Sequence, residues 1–275
     1  MSTSLTSPQS ARRRWLIAGG VTLGVCALVG VEIRTHPNAS IKNVLSMNYW
    51  SRRLWGGDRY DTGQALLREG PAERREVALT FDDGPRPQYG PQIADLLKKR
   101  GITATFFVIG FRVREYPGIV KQLSDDGFEI ANHTYDHKRL PPLKPHEIAS
   151  ELRRCEDDIA TVTGRRTMLM RPPGDEYDDK VLQVAKDLGY VTVSYTVGAK
   201  DFGPEQPSAT VVQRVMSHLE PGAIILLHQT SKGTLDALPA IIDGIQQRGY
   251  HFVTVGQMLT KMHAQLPPLP KTHRA

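Results

Sequence analysis

Cysteine is nearly missing from this chain. Two occur in 275 residues, Cys26 inside an apolar stretch and Cys155 in a helical pattern. A disulfide framework and a cysteine zinc site are thereby both excluded. If the protein leaves the cytoplasm, it does so without disulfides. Aromatic residues are sparse at 7% and are not interleaved with the basic ones. The net charge of +6 and pI near 9.3 therefore read as a solvated surface, with no nucleic-acid partner and a slight bias toward an anionic cell-surface polymer. Internal repeats are missing, and the only low-complexity tract is the Pro-rich tail at Leu266 to Pro270. With 40% hydrophobic and 23% charged residues, the chain has enough apolar surface for one large core.

Long apolar runs are also scarce, and the one present is at the N-terminus. Arg12, Arg13 and Arg14 precede an almost unbroken run from Trp15 to Val31, closed by Glu32 and Arg34. At about 1.5 Å per residue the run covers roughly 25 Å, slightly short of a bilayer core of about 30 Å, and thinning or snorkelling flanks allow it to span. The expectation is an uncleaved transmembrane anchor over 15–32, with 1–14 as a basic cytoplasmic N-terminus and the rest of the chain outside the cytoplasm. The alternative is export after cleavage of a signal. Arg12-Arg13-Arg14-Trp15-Leu16 resembles a twin-arginine signal, and Leu23-Gly24-Val25-Cys26 loosely resembles a lipoprotein box.

Residues 33–73 lack sustained periodicity and read as a stalk or wrapping extension. From Glu76 onward β-rich runs alternate with amphipathic helical patterns. The runs are Val77 to Phe81, Ala104 to Ile109, Phe128 to Ala131, Met168 to Met170, Val191 to Tyr195, Ala223 to Leu227 and His251 to Thr254. The helical patterns cover Gln92 to Lys99, Pro117 to Asp125, His146 to Thr161, Lys180 to Leu188, Thr210 to Leu219 and Leu235 to Arg248. Strand alternating with helix predicts a parallel sheet of βα units, and near-continuous apolar strands predict burial on both faces. The fold class is α/β, a closed or nearly closed barrel of about seven parallel strands over 74–262, followed by a flexible tail at 263–275.

The chemistry-bearing residues sit at the carboxyl ends of those strands, which converge on one face of a parallel barrel. Asp82 and Asp83 follow the first run, His133 and His137 the third, Arg171 the fourth, Asp201 a loop after the fifth, and His228 the sixth. Two adjacent carboxylates closing an apolar run need a cation or a proton. Two histidines and one of these aspartates make a three-ligand site for a divalent ion with a position left open, the arrangement of a catalytic site. Such an ion activates water and polarises a carbonyl, so hydrolysis of an amide or ester is the natural reaction class. Asp82 is then placed to act as general base and His228 to protonate the leaving amine. Taken singly, the same residues have plainer roles: His133 and His137 as a helix-surface pair, Asp82 as a turn cap before Gly84-Pro85, and Asp201 as a turn residue before Phe202-Gly203-Pro204.

Together, Thr80-Phe81-Asp82-Asp83-Gly84-Pro85, His133-Thr134-Tyr135-Asp136-His137, Arg171-Pro172-Pro173-Gly174 and Leu226-Leu227-His228 resemble, in order and spacing, the motifs of the polysaccharide deacetylase family, also called the NodB homology domain or carbohydrate esterase family 4. The resemblance covers residues 74–262. It implies a deformed (β/α) barrel and an enzyme that removes acetyl groups from N-acetylglucosamine units of chitin, peptidoglycan or a related glycan. One divalent metal is implied, usually Zn2+, with Co2+, Mn2+ or Ni2+ as alternatives. It implies further that Asp83, His133 and His137 are the ligands, that Asp82 is the base held by Arg171, and that His228 is the acid tuned by Asp201. Gly174 supplies a backbone N–H to the oxyanion, next to Pro173, and Phe202 stands where the family often carries a substrate-facing Trp. The chain departs from the common pattern at Gly198, Phe202, Gln229 and the turn Gly174-Asp175. Two other functions stay open on the sequence: a deformylase or amidase acting on a lipid-linked sugar, and a glycan-binding protein with weakened catalysis.

Overall fold

The computed structural model describes residues 60–61, 63–202 and 206–262. The anchor segment, the stalk before residue 60 and the tail 263–275 lie outside the described residues. Among the described residues, no helix is long and apolar enough to cross a membrane.

In chain order the strands are β1 (Tyr60–Asp61), β2 (Leu66–Leu67), β3 (Glu76–Gly84), β4 (Thr105–Val108), β5 (Glu129–Asn132), β6 (Leu169–Met170), β7 (Val191–Val193), β8 (Val197–Gly198), β9 (Ile224–His228) and β10 (His251–Phe252). The helices are α1 (Gly90–Lys99), α2 (Gly110–Glu115), α3 (Pro117–Asp125), α4 (Pro145–Thr163), α5 (Asp179–Asp187), α6 (Ser208–Ser217), α7 (Lys232–Gln247) and α8 (Val255–Lys261). All seven apolar runs become strands. Three further strands of two residues each, β1, β2 and β8, are too short to show a period in the sequence, so among the described residues the sheet has ten strands where about seven are expected. The sheet order is β1-β2-β7-β6-β5-β4-β3-β9-β8, with β10 also paired to β3. Every pairing is parallel except the hairpin β1-β2. The result is a curled, mixed half-barrel. Its opening hairpin falls within the segment read as stalk, where Leu66 and Leu67 pair with Thr192 and Val193.

The near-continuous apolar strands are explained by two cores. Alternating residues of β3 and β4 point outward and inward. Leu79, Phe81 and Phe106 pack outward against Ile93 and Leu97 of α1 and the helices beyond. Ala78 and Phe107 point inward and join Ala131, Leu169, Val193, Ile224 and Met258. That inner cluster, at about 1.5–3 kcal/mol per large buried side chain, fills the barrel interior. α8 closes it with Val255, Met258 and Leu259.

Helix α4 shows how local sequence sets an element. Pro145 occupies its first turn, where a missing N–H costs nothing. Glu147 accepts the Lys144 N–H at 2.7 Å, and Gly164 at φ 71° ends the helix. Ile148, Leu152, Cys155 and Ile159 form the buried stripe between.

Candidate active site

Strand β3 delivers two consecutive carboxylates to one cleft, which a regular strand does not do, because successive side chains point to opposite faces. The register with β4 shifts between Phe81 and Gly84, and Asp83 takes φ 66°. This local irregularity turns Asp83 back toward its neighbour's side. Asp82 pairs in register with His228 of β9.

Asp82 is buried, and its Oδ1 accepts from Arg171 Nη1 at 2.8 Å. Arg171 is wholly buried and lies over the Phe107 ring with its Cζ 4.2 Å from the centroid. The rest of its guanidinium is occupied as well. Nη1 also donates to Thr80 Oγ1 at 2.8 Å, Nε to the Val193 carbonyl at 3.1 Å, and Nη2 to the Ser194 carbonyl at 3.2 Å. Removing either partner of such a pair strands a buried charge, at a cost of about 3–5 kcal/mol. Thr80 carries no chemistry visible in the sequence, yet its hydroxyl links the guanidinium to the Ile225 carbonyl of β9 at 2.8 Å.

His133 and His137 do not lie on a helix surface. β5 ends at Asn132, and Thr134 (φ 65°) and His137 (φ 56°) bend the intervening segment into a loop. His133 Nδ1 lies 2.8 Å from the Arg171 carbonyl, which only accepts, so Nδ1 carries a proton and Nε2 is the nitrogen turned toward Asp83 and Asp82. Asp83 Oδ1 is 3.0 Å from His137 Nε2 and 3.5 Å from His133 Nε2. One donor atom from each of Asp83, His133 and His137 falls within 4.8 Å of the others. A tetrahedral ion with bonds of about 2.0–2.1 Å sets its ligand atoms roughly 3.3 Å apart, so this donor set fits one divalent cation. Burial raises the Asp83 carboxyl's pKa, but hydrogen bonds from His133 and His137 outweigh it and hold the group well below the usual carboxylate range. Burial likewise opposes charge on His133, and Asp82 and Asp83 overcome it, raising its pKa.

His228 is the third histidine of the cleft. Asp201, fully buried, accepts from His228 Nδ1 at 2.8 Å, from the His228 backbone N–H at 2.7 Å and from Thr234 Oγ1 at 2.6 Å. A plain turn residue would not be gripped on both oxygens. Burial lowers the His228 pKa, while the Asp201 hydrogen bond and charge, with Asp82 and Asp83, raise it above the ordinary imidazole value. Phe202 is 59% exposed and meets the His228 ring edge-on with centroids 5.6 Å apart.

Pro173 and Gly174 form a short 3-10 turn after β6, with Pro173 buried and Gly174 exposed at φ 67°. Asp175, whose role the sequence does not reveal, accepts from Ser194 Oγ at 2.6 Å, and burial raises its pKa. The departures from the family pattern have local causes. A Cβ at Gly198 would sit 3.0 Å from the Tyr195 ring, so glycine makes room for that aromatic. Gln229 is fully buried against Gly84 and Gly90, where a Cβ would lie 2.1 and 2.6 Å from its carboxamide.

A cavity of about 550 Å³ opens elsewhere, lined among others by Glu129, Arg166, Thr254 and Lys261. Neither histidine nor cysteine lines it, and its one carboxylate already accepts from Thr105 Oγ1 at 2.7 Å and from the Gly256 N–H at 3.1 Å. The chemistry therefore belongs to the cleft and not to this cavity.

Comparison with known proteins agrees. The family model described as polysaccharide deacetylase matches residues 69–193. The peptidoglycan-N-acetylmuramic acid deacetylase PdaA of Bacillus subtilis is 32% identical over 203 residues, 73% of this chain and 77% of that one. A peptidoglycan-N-acetylglucosamine deacetylase of Bacillus cereus is 36% identical over 199 residues, 71% of this chain and 93% of that one. The crystal structure of a peptidoglycan N-acetylglucosamine deacetylase, in complex with a naphthalenyl N-oxidanyl-benzamide, superposes with a TM-score of 0.70 at 31% identity, covering 74% of this chain and 95% of that one. With relatives this similar over most of their length, and with the motif residues drawn into one cleft, the chain belongs to the polysaccharide deacetylase family.

Proposed function

We propose that this protein hydrolyses the N-acetyl groups of amino sugars in peptidoglycan or a related envelope glycan, using one divalent cation, with zinc the first candidate. The observation that carries the proposal is the meeting of Asp83, His133 and His137 at ion-binding distances with Asp82 and His228 paired in register beside them. The named relatives support the substrate class. Bound between Asp83, His133 and His137, the cation supplies a Lewis acid for the acetyl carbonyl and acidifies water.

The chain's own residues do the rest. Arg171 fixes Asp82 through Oδ1, and Oδ2 is left to take the proton of the attacking water. Asp201 holds the His228 ring through Nδ1, which leaves Nε2 to protonate the departing amine. The backbone N–H at Gly174 serves the oxyanion. Pro173 shapes that turn, and Phe202 offers an apolar face to the sugar.

Acetate release from peptidoglycan and from chitooligosaccharides, with and without added zinc, tests the proposal. Metal-dependent acetate release is expected, and release of formate alone, or of nothing from either polymer, would overturn it. The proposal also places the domain outside the cytoplasm behind an anchor at 15–32. Its support is the position of Arg12 to Arg14 before the apolar run. Protease shaving of spheroplasts should digest the domain. Protection from protease, or a mature N-terminus after residue 26, would overturn the anchor.

A further inference from the structure

The loop joining the two histidines has three central backbone N–H groups, and side chains take all of them. Thr134 N–H donates to Asn132 Oδ1 at 2.8 Å. Tyr135 and Asp136 N–H both donate to Glu151 Oε2, at 3.0 and 2.7 Å. The other Glu151 oxygen accepts from Lys138 Nζ at 3.1 Å. Three donors on one carboxylate therefore come from a single short loop. Glu151 itself is buried, in the stripe of α4 that holds Ile148, Leu152 and Cys155. A carboxylate there costs several kcal/mol in desolvation unless it is fully satisfied, and an apolar residue would pack without that cost. The carboxylate does what an apolar residue cannot, which is to give the loop acceptors while Thr134 and His137 sit in the left-handed region.

The two ligands are not equally dependent on this support. His133 is fixed by its backbone N–H to the Val108 carbonyl at 2.9 Å and by Nδ1 to the Arg171 carbonyl at 2.8 Å. Asn132, next to it, is locked by Nδ2 donating to the Leu152 carbonyl at 2.8 Å and to Tyr190 OH at 3.1 Å. His137 stands at the far end of the loop with its side chain 39% exposed. The position of its imidazole follows the path of residues 134–136.

We propose that Glu151 is a positioning residue for the cation site: by accepting the Tyr135 and Asp136 N–H groups it sets where His137 stands relative to His133 and Asp83. This rests on the reading of Asp83, His133 and His137 as the cation ligands.

Zinc affinity of the full chain, measured by competition with a chromophoric chelator, tests it, together with the melting temperature of the metal-free protein. Glu151→Ala should weaken zinc binding by about 10–100-fold, the usual effect of losing a residue that orients a ligand. Glu151→Gln keeps an oxygen for both N–H groups and should stay within roughly threefold of the parent. In a His137→Ala background, Glu151→Ala should change the residual affinity no further, because its effect passes through that ligand. A Glu151→Ala protein that melts lower but binds zinc like the parent would reduce Glu151 to a fold-stabilising residue and overturn the inference. Full additivity with His137→Ala would overturn it as well. If Glu151→Ala does not fold, Glu151→Asp replaces it, since withdrawing the carboxylate by one methylene should weaken zinc binding while Glu151→Gln does not. A parent protein that binds no zinc overturns the cation site itself, an outcome distinct from undiminished binding in the variant.

Discussion

The two ends of the strands solve the same backbone problem with different residues. Where a helix returns to a strand, the left-handed positions are held by Gly101, Gly127, Gly164, Gly189, Gly222 and Gly249. Glycine occupies that region at little steric cost. Where a strand leaves for the next helix, the left-handed positions are held by Asp83, Thr134, His137, Asp175 and Lys200, with Gly174 the one glycine beside them. A side chain there costs roughly 1–2 kcal/mol. Two of these strained residues are the proposed ligands themselves. One end of the barrel is selected for conformational ease, and at the other the identity of the side chain outweighs the strain it brings.

The largest expected effect breaks that contrast directly. Asp83→Gly and His137→Gly should lose bound zinc and fall to background activity. The metal-free proteins should melt close to the parent, because relief of about 1 kcal/mol of left-handed strain offsets part of the lost contacts. Metal analysis of the purified variants decides it, and a glycine variant that retains stoichiometric zinc would end the ligand assignment. Next in size is Asp82→Asn, which should keep its metal and lower kcat by the roughly 10²–10⁴ attributable to positioned proton transfer. A metal-free Asp82→Asn protein would mean that the roles of the two aspartates are exchanged.

A smaller effect concerns Asp201. Its charge raises the His228 pKa, and the proton donor must be protonated to act, so activity falls as pH rises through that value. Asp201→Asn removes the charge, lowers the pKa and should move the basic limb of the kcat/KM profile to lower pH. An unmoved limb would detach Asp201 from the proton transfer. The smallest effect is at the opposite end. A Cβ on Gly101 or Gly127 meets nothing within 4 Å, so either alanine variant should lose only about 1 kcal/mol of stability, read from a denaturation midpoint. Zinc content and kcat should not change, and a loss of activity in either variant would show that the two ends are coupled.

Much of this arrangement is legible in the sequence, because strand ends and polar motifs coincide. The seven apolar runs locate β3 to β7, β9 and β10, and the residues that follow them meet in the cleft. What the sequence hides is either short or satisfied by tertiary contacts. β1, β2 and β8 hold two residues each, below any detectable period. Asp201 before Phe202-Gly203-Pro204 looks like turn chemistry until its oxygens are seen to accept from distant residues, Oδ1 from His228 Nδ1 and Oδ2 from the His228 N–H and Thr234 Oγ1. Glu151 left one signal: a charge on the stripe of α4 where Ile148, Leu152 and Cys155 demand an apolar residue. Such an exception to the helical pattern points to a buried acceptor. Asn132 left none, since a polar residue closing a strand is ordinary.

The place of β3 in the sheet has a consequence for how the protein is born. Its neighbours β4 and β9 come from opposite ends of the domain, and the Thr80 hydroxyl donates to a carbonyl 145 residues further along the chain. The Arg171–Asp82 bond spans 89 residues. Contacts this distant form late, after the intervening loops have closed. A nascent chain that has delivered both aspartates and both loop histidines still lacks the strand carrying His228 and the helix carrying Thr234. Such a chain lacks the proposed proton donor and the hydroxyl that helps hold its partner Asp201. On the proposed roles, turnover is expected only after β9 has joined β3, so activity should report that the two distant parts of the domain have met.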